Sequence, residues 1–118
     1  MNRIKDGVVL IVEDEALLLF SIADELRDLG FNVLEARNAD EALARLESHS
    51  DIAVVFTDID MPGSIDGLQL TTLVGERWPK TKVVVTSGKK LPERVEMPKH
   101  TQFLSKPYAV EAVARAIS

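Results

Sequence analysis

Chemistry-bearing residues stand at the ends of four strand-like runs. Glu13 and Asp14 follow the run 8–12, Asp58 follows 52–57, Ser87 follows 82–86, and Lys106 follows 101–104. Carboxylates crowded together disfavour each other's ionisation and need a compensating cation. A hard divalent ion taking oxygen ligands and keeping several waters, Mg²⁺ with Mn²⁺ as a substitute, suits Glu13, Asp14 and Asp58, with the backbone carbonyl of Asp60 completing the protein ligands. A carboxylate so placed can attack phosphorus and form an acyl phosphate, which makes Asp58 the candidate nucleophile. Lys106 is a compact cation able to neutralise a transferring phosphoryl group, and the Ser87 hydroxyl can donate a hydrogen bond to another of its oxygens.

The elements that must position these groups are legible in the spacing of apolar residues. Residues 8–12 form an unbroken apolar run, β-branched at all but Leu10, as in a strand covered on both faces. From 16 to 29 the residues Ile22, Leu26 and Leu29 share a helical face, and Gly30 stands where a helix commonly ends. A strand at 31–36 precedes a helix running to 46, opened by a capping box of Asn38 and Glu41. The strand at 52–57 leads to a helix capped by Asp66 and stopped by Pro79 after Trp78. Strands follow at 82–86 and 101–104, then a last helix with Pro107 in its first turn and Val110, Val113 and Ile117 on one face. Residues 89–100, with Pro92 and Pro98, carry no helical stripe, so a loop or short helix is expected there. The strict alternation implies an α/β sandwich around a parallel sheet with right-handed crossovers, and ligand sites in such sheets lie beyond the carboxyl ends of the strands.

Composition narrows the class. The chain has 118 residues, 46% of them hydrophobic, which suits one domain over 1–118. A net charge of −5 disfavours direct nucleic-acid binding. The absence of cysteine excludes disulfides and thiolate catalysis, and it fits a cytoplasmic protein. The apolar run at 8–12 is too short for a signal peptide or a membrane span.

Val12-Glu13-Asp14, Thr57-Asp58-Ile59-Asp60-Met61-Pro62, Asp66-Gly67, Thr86-Ser87-Gly88 and Lys106-Pro107-Tyr108 together resemble the receiver domain of bacterial response regulators, over 8–117. That resemblance implies a flavodoxin-like (βα)5 fold with strand order 2-1-3-4-5, here with the fourth helix short or absent. It implies Glu13 and Asp14 as the acidic metal site, Asp58 as phosphoacceptor, Ser87 as switch hydroxyl with Thr86 as the alternative, and Lys106 as the phosphoryl-sensing lysine. Phe103 falls where the family places an aromatic switch, although a core role explains it equally. The donor would be a histidine kinase or histidine phosphotransfer protein, and the chain would be a signalling domain rather than an enzyme. Output would pass through an unknown downstream protein, with the chain either standing alone or cut from a larger regulator or hybrid kinase.

Departures and rivals remain. The stretch 63–65 is one residue longer than the common loop. The run 17–20 is wider than one core face requires, and marks either a buried helix or a surface for a homodimer or partner. His49 and His100 lack metal-ligand spacing. The competing readings are a haloacid-dehalogenase-like phosphatase, suggested by Asp58-Ile59-Asp60, a flavin carrier, disfavoured by the acidic first loop, and a pseudo-receiver that is never phosphorylated.

Overall fold

The computed structural model describes residues 7–61, 66–88 and 101–118. The longer loop at 63–65, the expected loop or short fourth helix within 89–100, and His100 lie outside the described residues. Within them the chain runs β1 (Val8–Val12), α1 (Ala16–Asp28), β2 (Asn32–Ala36), α2 (Ala39–Ser48), β3 (Ile52–Asp58), α3 (Gly67–Arg77), β4 (Lys82–Ser87), β5 (Thr101–Ser105) and α4 (Val110–Ile117). The five strands form one parallel sheet in the order β2-β1-β3-β4-β5, as expected.

Side chains alternate across a strand, so an apolar run feeds two cores at once. On one face Leu10, Val12, Val55, Val83 and Val85 meet Ala42 and Leu46 of α2 and Leu70 and Val74 of α3. On the other, Val9, Ile11, Val54, Phe56 and Val84 meet Leu19, Ile22 and Leu26 of α1 and Val113 and Ile117 of α4. The sheet is thus sandwiched between α2/α3 and α1/α4, which explains why its central strands are apolar without interruption.

Helix ends follow local chemistry, with two departures from expectation. Gly30 adopts a φ of 96°, and the amides of Gly30 and Phe31 satisfy the carbonyls of Arg27 and Leu26 at the end of α1. Asp66 and Gln69 exchange both bonds of a capping box at the start of α3. Asn38 accepts from the Glu41 amide at 2.8 Å, but the Glu41 carboxylate reaches back to the Arg37 amide, so the box predicted there closes one residue upstream. Pro107 does not enter the last helix. Residues 106–109 are spent carrying the chain from the end of β5 to the α1 side, and the first carbonyl to accept helical bonds is that of Ala109.

The connections leaving β1 and β3 part company. The first turns into α1 on one face, the second leads to α3 on the other, and between them opens a crevice at the carboxyl end of the sheet. Gly67 closes the floor of that crevice: a Cβ there would overlap the carbonyl oxygen of Asp58 and the Cα of Ile59. Both obstacles are backbone, so no side-chain movement relieves the clash. Gly67→Ala is expected to lower unfolding free energy by about 3 kcal/mol, the upper end for overpacking, measured by urea denaturation.

Candidate functional site

Each acidic or basic group reaches the crevice through the ladder that carries it. Glu13 extends β1, its amide bonded to the Ala36 carbonyl, while its Oε2 accepts from the Glu15 amide at 3.0 Å and shapes the turn into α1. Asp58 is the last residue of β3, one beyond the predicted strand, and lies opposite Thr86. The Lys106 amide bonds the Ser87 carbonyl at 3.0 Å, which lays the lysine across the ends of β4 and β3.

Glu13, Asp14 and Asp58 each present an oxygen within 4.8 Å of the others. Glu13 and Asp58 are each only 3% exposed. Lys106 Nζ sits 2.9 Å from Asp58 Oδ2 and 3.4 Å from Glu13 Oε1. The other Asp58 oxygen, Oδ1, accepts from the Asp60 amide at 3.0 Å. Burial, reinforced by the charge of Asp58 and by the contact with Asp14, raises the Glu13 carboxyl to about 6 against the stabilising Glu15 amide. Burial opposes the charge on Lys106, yet its contacts with Asp58 and Glu13 outweigh that and raise its pKa. Among the described residues, Lys106 therefore sets one positive charge against three carboxylates. An all-oxygen, under-compensated donor set of this kind fits a hard divalent cation.

Ser87 Oγ donates to Asp60 Oδ2 at 2.6 Å. Thr86 Oγ1, the alternative switch hydroxyl, is buried and has no hydrogen-bond partner among the described residues. Ser87 is thus the hydroxyl engaged in the crevice. Phe103 lies on β5 with 39% of its surface exposed, so the core role weighed for it does not hold in this conformation. His49 is tied through Nδ1 to the Arg45 carbonyl at the end of α2, away from the crevice.

Two features escaped the sequence reading. Tyr108 packs edge-on against Phe56 with ring centroids 5.5 Å apart, and burial together with the nearby charge of Glu13 pushes its phenol up to about 12. The Asp60 side chain, considered only for its backbone carbonyl, is a partner of Ser87. An acid two residues beyond Asp58 was the available signal, but alternation along an extended chain gives no warning of a contact with β4. The run 17–20 divides: Leu19 is buried, whereas Leu17 is 85% and Phe20 53% exposed in the first turns of α1.

The sequence profile of the response regulator receiver domain matches residues 9–118. This chain belongs to that family. It is 32% identical over 112 residues to the transcriptional regulatory protein PdtaR of Mycobacterium tuberculosis, covering 92% of this chain and 54% of that protein. A putative response regulator NtrX-like of Rickettsia felis is 40% identical over 81 residues, 68% of this chain and 17% of the relative. The receiver thus spans about half the length or less of these curated relatives. Among solved structures, a response regulator receiver protein from Sinorhizobium medicae superposes with a TM-score of 0.85 at 29% identity, over 96% of this chain and 92% of that one. The receiver domain of the hybrid histidine kinase CckA superposes at 0.78 and 29% identity, over 95% and 100%. No helix among the described residues is long and apolar enough to cross a membrane.

The raised Glu13 carboxyl sets a pH dependence. Its folded value lies above the ordinary 4.5, so its favourable contribution is full below about 4.5 and is lost as pH rises through about 6. In metal-free solution Glu13→Gln should gain about 2 kcal/mol relative to the parent between pH 4.5 and pH 8, read by urea unfolding in chelator. Mg²⁺ affinity measured by calorimetry should fall as pH drops through about 6, by up to about tenfold per unit for one competing proton.

Proposed function

We propose that this receiver accepts a phosphoryl group on the carboxylate of Asp58 from a phosphohistidine donor, and thereby switches a surface recognised by a partner protein. The observation that carries the reading is the buried Asp58 carboxylate, held against Lys106 at 2.9 Å inside an acidic cluster at the β1/β3 crevice. Membership of the receiver family supports it.

An Asp58 oxygen attacks phosphorus as the phosphorus–nitrogen bond of the donor breaks, and the imidazole leaves as a neutral ring keeping the proton on its other nitrogen. Mg²⁺ held by Glu13, Asp14, Asp58 and the backbone carbonyl of Asp60 would supply positive charge to the phosphoryl oxygens. Lys106, already seated on Asp58, meets the same developing charge from the protein side without reorganising. Ser87 stands at the end of β4 as the hydroxyl donor to a further phosphoryl oxygen, and Phe103 on the neighbouring strand is the candidate to follow its movement. A bonded phosphoryl group then biases a two-state equilibrium through Ser87 and Lys106.

The exposed pair Leu17 and Phe20 fits the donor-docking role. It stands in the first turns of α1, the helix that starts two residues after Asp14, so a donor protein that buries it would bring its phosphohistidine toward Asp58.

Intact-mass measurement after incubation with acetyl phosphate and Mg²⁺ should show a gain of one phosphoryl group that disappears in chelator and in Asp58→Asn. Absence of an adduct from a folded protein that also fails to bind beryllofluoride would defeat the assignment. Phe20→Ala should slow transfer from a phosphohistidine protein by about tenfold, as loss of a docking anchor does, while leaving labelling by acetyl phosphate unchanged.

A further inference from the structure

The Ser87 hydroxyl carries a single proton, and in this structure it is donated to a carboxylate. At 2.6 Å the bond to Asp60 Oδ2 lies in the range of charge-assisted O–H···O⁻ contacts, roughly twice as strong as neutral ones. Asp60 is also fastened to the acceptor itself, since its amide donates to Asp58 Oδ1 at 3.0 Å. One residue therefore touches Asp58 through its backbone and Ser87 through its side chain. The Ile59 amide, bonded to the Thr86 carbonyl at 2.9 Å, keeps this short segment registered on β4. Because Asp60 is exposed and Ser87 is 3% exposed, the carboxylate can swing out to water while the hydroxyl cannot.

We infer that Asp60 is a positioning residue that latches the Ser87 hydroxyl in the unphosphorylated receiver, so that a phosphoryl group on Asp58 must compete with the Asp60 carboxylate for the same proton. The inference rests on the phosphoacceptor reading and deepens it. When the phosphoryl oxygen takes the hydrogen bond, the Asp60 carboxylate loses it and turns to solvent; no covalent bond changes. The latch lowers the share of phosphorylated molecules in the switched form and sharpens the difference between the two states, because the one hydroxyl proton cannot serve the Asp60 carboxylate and the phosphoryl oxygen at once. The backbone carbonyl of Asp60 remains available in every side-chain variant.

A double-mutant cycle tests this, using beryllofluoride as the phosphoryl mimic at saturating Mg²⁺, with affinity measured by calorimetry on the parent, Asp60→Ala, Ser87→Ala and the double variant. Removing the latch should tighten beryllofluoride binding several-fold, up to about tenfold, the scale of a hydrogen bond to a charged group. Asp60→Asn, which keeps an acceptor but not the charge, should fall between the parent and Asp60→Ala. In the Ser87→Ala background the Asp60→Ala change should be lost. Equal tightening in both backgrounds would mean that Asp60 merely repels the anion, and would overturn the latch. No change, or weaker binding, in Asp60→Ala would overturn it as well. If none of the four proteins binds the mimic, the phosphoacceptor reading itself has failed and the latch falls with it; a cycle that fails although all four bind leaves that reading standing.

Discussion

Like charge held in a small, dry volume is the constraint on which this molecule turns. Glu13, Asp14 and Asp58 present oxygens within 4.8 Å of each other, and two of the three side chains are almost wholly buried. Left to themselves such groups would separate or take up protons, and burial first, with the charge of Asp58 adding to it, raises the Glu13 carboxyl. They stay because Asp58 is the last residue of β3 and Glu13 and Asp14 directly follow β1, strands that cannot move independently of their neighbours. Lys106, 48 residues from Asp58 and 93 from Glu13 in sequence, offsets part of the charge. The remainder is what makes the site a receptacle for a cation, and for chemistry that a cation assists.

The fold serves that constraint through its topology. Placing β1 between β2 and β3 sends the connections after β1 and β3 to opposite faces, and a crevice at their carboxyl ends follows without any special loop. Two cores, one on each face, then clamp the strands that carry the acids. The clamp is tight enough that Gly67 passes against the backbone of Asp58 and Ile59 with no room for a Cβ. Helix α1 divides its surface between these demands: Leu19, Ile22 and Leu26 are buried under the sheet, while Leu17 and Phe20 remain on the outside in its first turns.

Much of this was legible beforehand because it depends on local pattern. Unbroken apolar runs report strands covered on both faces, shorter and less apolar stretches mark the two edge strands, and every predicted strand is present, with ends shifted by one residue at β2, β3, β4 and β5. Asp66 capped α3 and Gly30 ended α1 for reasons contained within four residues of chain. Pro107 was misplaced because a proline fits a helical first turn as well as the segment before it, and only the distance from β5 to the α1 face chooses between them. The Asn38 box closed on Arg37 for a similar reason: Glu41 can reach either amide, and the path of the chain leaving β2 selects one.

Sequence by itself determined which residue types stand at the ends of which strands, since the alternation of apolar runs and helical stripes fixes where each strand stops. It thereby determined that Glu13, Asp14, Asp58, Ser87 and Lys106 share one edge of the sheet. Tertiary structure alone decided how those groups pair within the edge. The Lys106 contact with Asp58, the bond from Ser87 to Asp60, the burial of Tyr108 against Phe56 and the exposure of Phe103 all depend on register and twist between strands far apart in the chain. Those quantities are set by the packing of two cores against one sheet, and no local stretch of sequence contains them.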